Sequence, residues 1–148
     1  MKRSIACRNI MVAICMAAIF SGCGLKLGKF PTYFDENTYE RLIFAKVNIL
    51  FLYASFGEPL IDMDAIKSAR MDIARMYEYE KGKGNANQAT VRQMELIREA
   101  FDDHIKNRMG KVKWEAFDIE DFSENIAEYF DIAIKTERSK NKKWKKGD

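Results

Sequence analysis

The segment Asp35–Phe56, DENTYERLIFAKVNILFLYASF, decides the fold. Wound at 3.6 residues per turn, Asn37, Arg41, Asn48 and Ser55 line up as one narrow polar stripe. Tyr39, Leu42, Ile43, Ile49, Leu50, Tyr53 and Phe56 fill the opposite side, with Phe44, Val47, Phe51 and Leu52 flanking them. No period-two alternation runs through the segment, so it reads as helix. Asp35 supplies a carboxylate to cap the free backbone N–H groups near Asn37 and Thr38, and Gly57-Glu58-Pro59 ends the helix. A helix apolar around most of its circumference is expected near the centre of its domain.

Working outward, the same periodicity recurs three times. Asp62–Lys81 carries Ile66, Ala69, Ile73, Met76 and Tyr77 at threes and fours, and stops at Gly82 and Gly84. A third helix starts at Asn85 or Asn87 and ends at Met109–Gly110, on Val91, Met94, Ile97, Phe101, Ile105 and Met109. A fourth runs from about Asp118 to Arg138 on Ile119, Phe122, Ile126, Tyr129, Phe130, Ala133 and Ile134. There is no hairpin turn signal and no internal repeat. Helices of about 20 residues span roughly 30 Å each. Short links between equal helices favour antiparallel neighbours. The expected fold is therefore all-α, an antiparallel up-down-up-down four-helix bundle over residues 35–138. In that order the start of the first helix, the second turn and the end of the fourth helix share one end.

Upstream, Lys2, Arg3 and Arg8 precede the uncharged run Ile10–Phe20 (IMVAICMAAIF), and Ser21, Gly22 and Cys23 follow. A basic start, a short apolar run and small residues describe a secretory signal peptide. The uncharged stretch Asn9–Leu25 falls short of the ~20 residues that comfortably span a bilayer. Phe20-Ser21-Gly22-Cys23 resembles the lipobox of bacterial lipoproteins, with Phe20 where that class most often has leucine. The resemblance implies removal of residues 1–22, with covalent diacylglycerol and an N-acyl chain on Cys23. It implies a lipid-anchored protein of the bacterial cell envelope, and Gly24 points to the outer membrane, facing the periplasm. Residues 23–34 then form a short tether and 139–148 a basic tail. Cys7 and Cys15 leave with the signal, so no disulfide inside the processed chain is expected.

The formal charge of +3 on 148 residues comes from the three basic residues of the signal. The remainder carries 22 basic and 22 acidic side chains, which argues against a nucleic-acid partner. Candidate chemistry is sparse. The one histidine, His104, sits at the edge of its apolar stripe with Phe101 three residues before it, so no Glu-x-x-His pair forms. No metal site, cofactor or catalytic residue is expected. Asp102, Asp103, Glu120, Asp121 and Glu124 fall on polar faces or at a helix start, where acids favour the macrodipole. Asp118–Glu124 lacks the ligand pattern of a calcium loop, and Lys81–Asn85 does not fit a phosphate-binding loop.

Four features stand out. Lys46 falls among Leu42, Ile43, Ile49, Leu50 and Tyr53; it either lays its stem on the core and reaches water, or is a buried charge needing a carboxylate. Trp114 and Phe117, close together at the third connection, either close over the bundle as a lid or stand out as a partner-binding anchor. Lys140, Lys142, Lys143, Lys145 and Lys146 surround Trp144, a combination suited to an anionic membrane surface. The absence of a catalytic set points to a non-enzymatic adaptor or assembly factor with an envelope protein partner. The alternatives are a secretin pilotin-like chaperone, which it resembles in size, anchor and class alone, and a small-ligand or cell-wall-binding lipoprotein with an apolar slot around the first helix.

Overall fold

The computed structural model describes residues 33–84 and 87–140. Cys23, the expected signal segment, the expected tether to residue 32, and Lys142, Lys143, Trp144, Lys145 and Lys146 lie outside the described residues. What is described is all-helical: α1 (Glu36–Ser55), α2 (Met63–Gly82), α3 (Gln88–Met109) and α4 (Ala116–Ser139), with no strand among the described residues. Helix α1 lies beside α2 and α4, and α3 lies beside the same two, giving bundle-like packing.

Local chemistry sets the boundaries. Asp35 accepts from the Asn37 backbone N–H at 3.0 Å, and Asp62 accepts from Ala65 at 2.9 Å. Gly84 adopts φ 87°, a left-handed conformation that glycine takes at no steric cost. Helix α4 starts two residues before Asp118, because Glu115 and Asp118 form a reciprocal capping box. Asp118 thus acts in the third helical position.

The core runs along the expected stripes. Leu42, Ile49, Tyr53, Ile66, Ile73, Met94, Ile97, Phe101, Ile126 and Phe130 are all within 1% of complete burial. Two expectations are corrected. First, α1 is not central. In a four-helix arrangement each helix turns only one arc inward, so the broad apolar surface of α1 leaves Phe44 64% and Phe51 74% exposed. Second, the third stripe ends on a charge: Arg108 is fully buried, whereas Met109 is 44% exposed.

Candidate functional site

The helix ends form two unlike clusters. At one, the start of α1, the end of α2, the start of α3 and the end of α4 meet in a polar network. Glu137 is buried; its Oε1 accepts from the Asp35 backbone N–H at 2.7 Å and its Oε2 from Lys140 Nζ at 2.6 Å. Lys140 also donates to Asn87 Oδ1 at 2.9 Å. Asn87 Nδ2 donates to buried Glu80, which also accepts from the Thr38 hydroxyl and, at 2.7 Å, from Lys83. Lys83 reaches Asp35 as well, at 2.7 Å, and Tyr79 donates to Asp35 at 2.8 Å. Three carboxylates thus face two ammonium groups. The N-termini of α1 and α3 and the C-termini of α2 and α4 bring opposite partial charges that largely cancel. The network therefore keeps an acidic surplus that is offset locally: the α1 N-terminus and Lys140 both face Glu137.

The carboxylates here are held by the donors named above and read as a lock between helix ends. Burial disfavours the charge on Asp35, but hydrogen bonds from Lys83 and Tyr79 outweigh it and hold its carboxyl at about 2. Lys83 is opposed by burial too, yet Asp35 and Glu80 raise it above the ordinary lysine range.

At the other end, aromatic rings replace charges. Trp114 is 1% exposed. Its ring meets Tyr53 and Phe56 edge-on at 5.1 and 4.9 Å and stacks on Phe122 at 4.7 Å. Its Nε1–H donates to Asn107 at 3.1 Å, and its backbone N–H donates to Phe56 O at 2.8 Å. The Arg108 guanidinium donates to the carbonyls of Lys111 at 2.9 Å and Glu58 at 2.7 Å. It thereby joins the α1–α2 and α3–α4 connections. His104 is buried here, not at a boundary. Its Nδ1 lies 2.9 Å from Tyr53 Oη, and Phe122 covers its ring at 4.6 Å. Burial lowers its pKa despite the nearby Asp103, Asn125 and Asp121.

On this braced platform, Leu60 (89%), Val112 (78%) and Phe117 (76%) stand exposed, with Met63 and Met109 more than two-fifths exposed. The two aromatics of the sequence reading therefore part company. Trp114 is the lid and is not available as a partner anchor, because its indole is consumed by Tyr53, Phe56, Phe122 and Asn107. Phe117 remains free for that role.

Two other expected sites are also revised. Lys140 is not a membrane contact: its side chain is 8% exposed and its ammonium is held by Glu137 and Asn87. Lys46 is not a buried charge; its side chain is 22% exposed and its ammonium meets both Asp131 oxygens at 2.7 Å. It points toward α4. An open groove of about 400 Å³ lies along α1 on the α2 side and runs past Asn48, Phe51, Ser55, Ala65 and Ser68. Lys46 and that groove do not form one site.

Among the described residues, no group of three or more His, Cys, Asp or Glu side chains is gathered for a metal ion. Nor is any helix there long and apolar enough to cross a membrane. Comparison with protein-family models, curated proteins and solved structures finds no match to this chain.

The pKa shifts fix the sign of the acid response. A depressed histidine means the unfolded chain binds the proton first, so stability falls as pH drops through about 6.5. Asp35, depressed from 3.8 to about 2, contributes stability above pH 3.8 that is lost as pH falls toward 2. Urea midpoints from pH 8 to pH 2 are expected to fall in two stages, and Asp35→Asn to diminish the lower one, to which Asp118, lowered by its hydrogen bond from Lys111, also contributes. An unchanged lower stage in that variant would assign it elsewhere.

Proposed function

We propose that this chain is an envelope lipoprotein, held to the membrane through acylated Cys23, that works as a non-enzymatic adaptor or assembly factor. The carrying observation is the exposed set Leu60 and Val112, on two connections that buried Arg108 and Trp114 brace together, with Phe117 beside them in the first turn of α4. Exposed apolar side chains on a rigid support are what a protein partner can bury at low ordering cost. The antiparallel up-down-up-down order belongs to this reading. Its support is that Asp35 meets Glu137 and Lys83 at one end while Phe56 meets Trp114 at the other. Residue 33, leading back toward Cys23, and residue 140, leading into the basic tail, then leave from one end. The apolar connections face away from the membrane, toward the periplasm if the anchor is in the outer membrane.

The experiment is in-cell crosslinking of the tagged full-length chain in its native cells, with mass spectrometry and palmitate labelling. One dominant envelope protein is expected, together with palmitate on the chain that Cys23→Ser abolishes along with membrane association. Phe117→Asp is expected to leave stability within about 0.5 kcal/mol while cutting recovery of the partner by more than about tenfold. Undiminished recovery in Phe117→Asp, or no envelope partner at all, sinks the adaptor reading.

A further inference from the structure

Helix α1 carries two apolar seams, and its own bundle uses one. Leu42, Ala45, Ile49, Leu52 and Tyr53 are buried, whereas Phe44, Val47 and Phe51 are 64%, 43% and 74% exposed. The exposed three are spaced three and four apart, and exposed Asn37, Glu40 and Ala54 extend the same alternation to the two ends of the helix. With Asn37, Phe44 and Phe51 at a and Glu40, Val47 and Ala54 at d, the buried residues fall at b, c and f. This is the 3.5-residue repeat of a coiled-coil seam, on the face turned away from the core. The one charge between Arg41 and Glu58 is Lys46, which Asp131 holds on the α4 side.

We infer that this seam is covered by a second copy of the chain, α1 against α1 in a parallel two-fold pair. In such a pair every a and d residue meets its own counterpart, so one surface serves both copies. Charge complementarity supports it: Glu36 at g and Arg41 at the following e, both exposed, are spaced to pair reciprocally between copies. The remaining flanking positions, Ile43 with Asn48 and Leu50 with Ser55, bring no like charges together; the one like-charge contact is Glu40 at d, which meets its own counterpart at the exposed N-terminal end of the seam. Asn37 at an a position favours one register. Phe44 and Phe51 alone offer roughly 200–350 Å² of apolar surface per copy, a fitting centre for an interface of about 800 Å² per partner. Glu40 ends the apolar run on one side and the end of α1 at Ser55 ends it on the other. The parallel direction rests on the proposed anchoring, because it sends both N-termini toward one membrane. Antiparallel pairing would separate them by a helix length of roughly 30 Å.

The test is oxidative crosslinking of full-length chains in membranes, with Phe44→Cys, Val47→Cys and Phe51→Cys introduced one at a time. The parent chain and Glu99→Cys, exposed on α3, are the backgrounds. Disulfide dimer well above both backgrounds is expected at all three seam positions. Phe51→Glu placed in the Val47→Cys chain is expected to weaken dimer formation by more than about 30-fold, as for loss of a central anchor. No dimer above background at Val47→Cys overturns the inference, and so does a dimer that Phe51→Glu leaves untouched. Dimer at Val47→Cys but at neither Phe44→Cys nor Phe51→Cys, restored by mixing those two chains, shows antiparallel pairing and overturns the direction proposed. Palmitate labelling of the same samples reads the anchor separately. A labelled chain without dimer defeats this inference alone, and an unlabelled dimer defeats the anchoring alone.

Discussion

Trp114→Ala is expected to cost about 3–5 kcal/mol, the usual range for removing a fully buried large aromatic. The indole is 1% exposed and three rings pack on it within 5.1 Å. Its loss also leaves Asn107 Oδ1, which is half-buried, without its donor, and this adds a smaller penalty of its own. For a body of this size the melting temperature should fall by more than about 10 °C. The damage should be felt most at the two connections, since Trp114 ties residue 56 to the third connection through its backbone as well as its ring. Amide exchange in residues 57–62 and 110–115 is expected to accelerate more than in the helices. Phe117→Ala is the contrasting variant: at 76% exposure it should change stability by no more than about 0.5 kcal/mol. Thermal melts and hydrogen exchange on the pair decide the matter. If Trp114→Ala costs under about 1 kcal/mol, the two connections are not braced by this ring and the rigid platform disappears from the functional reading.

The contrast between Trp114 and Phe117 also shows how far the sequence could be read. Helix spans were legible because periodicity, capping carboxylates and glycines agree, and the structure departs from them by about two residues. Which aromatic turns inward was not legible, because it depends on Phe56 and Phe122 arriving from other helices. The buried charges were missed for a different reason. Glu80 extends the stripe Ile66, Ala69, Ile73, Met76 by one more turn. Glu137 does the same after Ile126, Phe130 and Ala133, and Arg108 after Phe101 and Ile105. A charge in phase with an apolar stripe was the available signal. A polar residue at a helix end is ordinarily taken for the solvated last turn, so the signal was weak. Lys140 was misplaced by the same habit: grouped with the tail by composition, it belongs by position to Glu137 three residues earlier, one helical turn away.

Glu137→Ala is expected to cost about 3–5 kcal/mol, as breaking a buried ion pair usually does. It strands Lys140, 8% exposed, without its countercharge and leaves the Asp35 N–H unpaired at the start of α1. Position sharpens the effect: an acid near the C-terminus of α4 is unfavourable alone. It is stable here because the α1 N-terminus and Lys140 both face it. Replacing the pair together, Glu137→Leu with Lys140→Met, removes both desolvation costs and should recover most of the stability lost in the single variant. A double-mutant cycle built on urea melts should then give a coupling above about 1.5 kcal/mol. Near-additive losses would instead place the cost in the Asp35 N–H or in packing. The same bond has mechanical meaning if Cys23 anchors the chain. Asp35 follows Tyr33 by two residues, so any pull through the tether reaches α1 at the point where Glu137 holds it to α4. Glu137→Ala should therefore make α1 the first helix to lose amide protection, ahead of α2 and α3. Uniform loss of protection across all four helices would show that the network stabilises the whole body without guarding the tethered end.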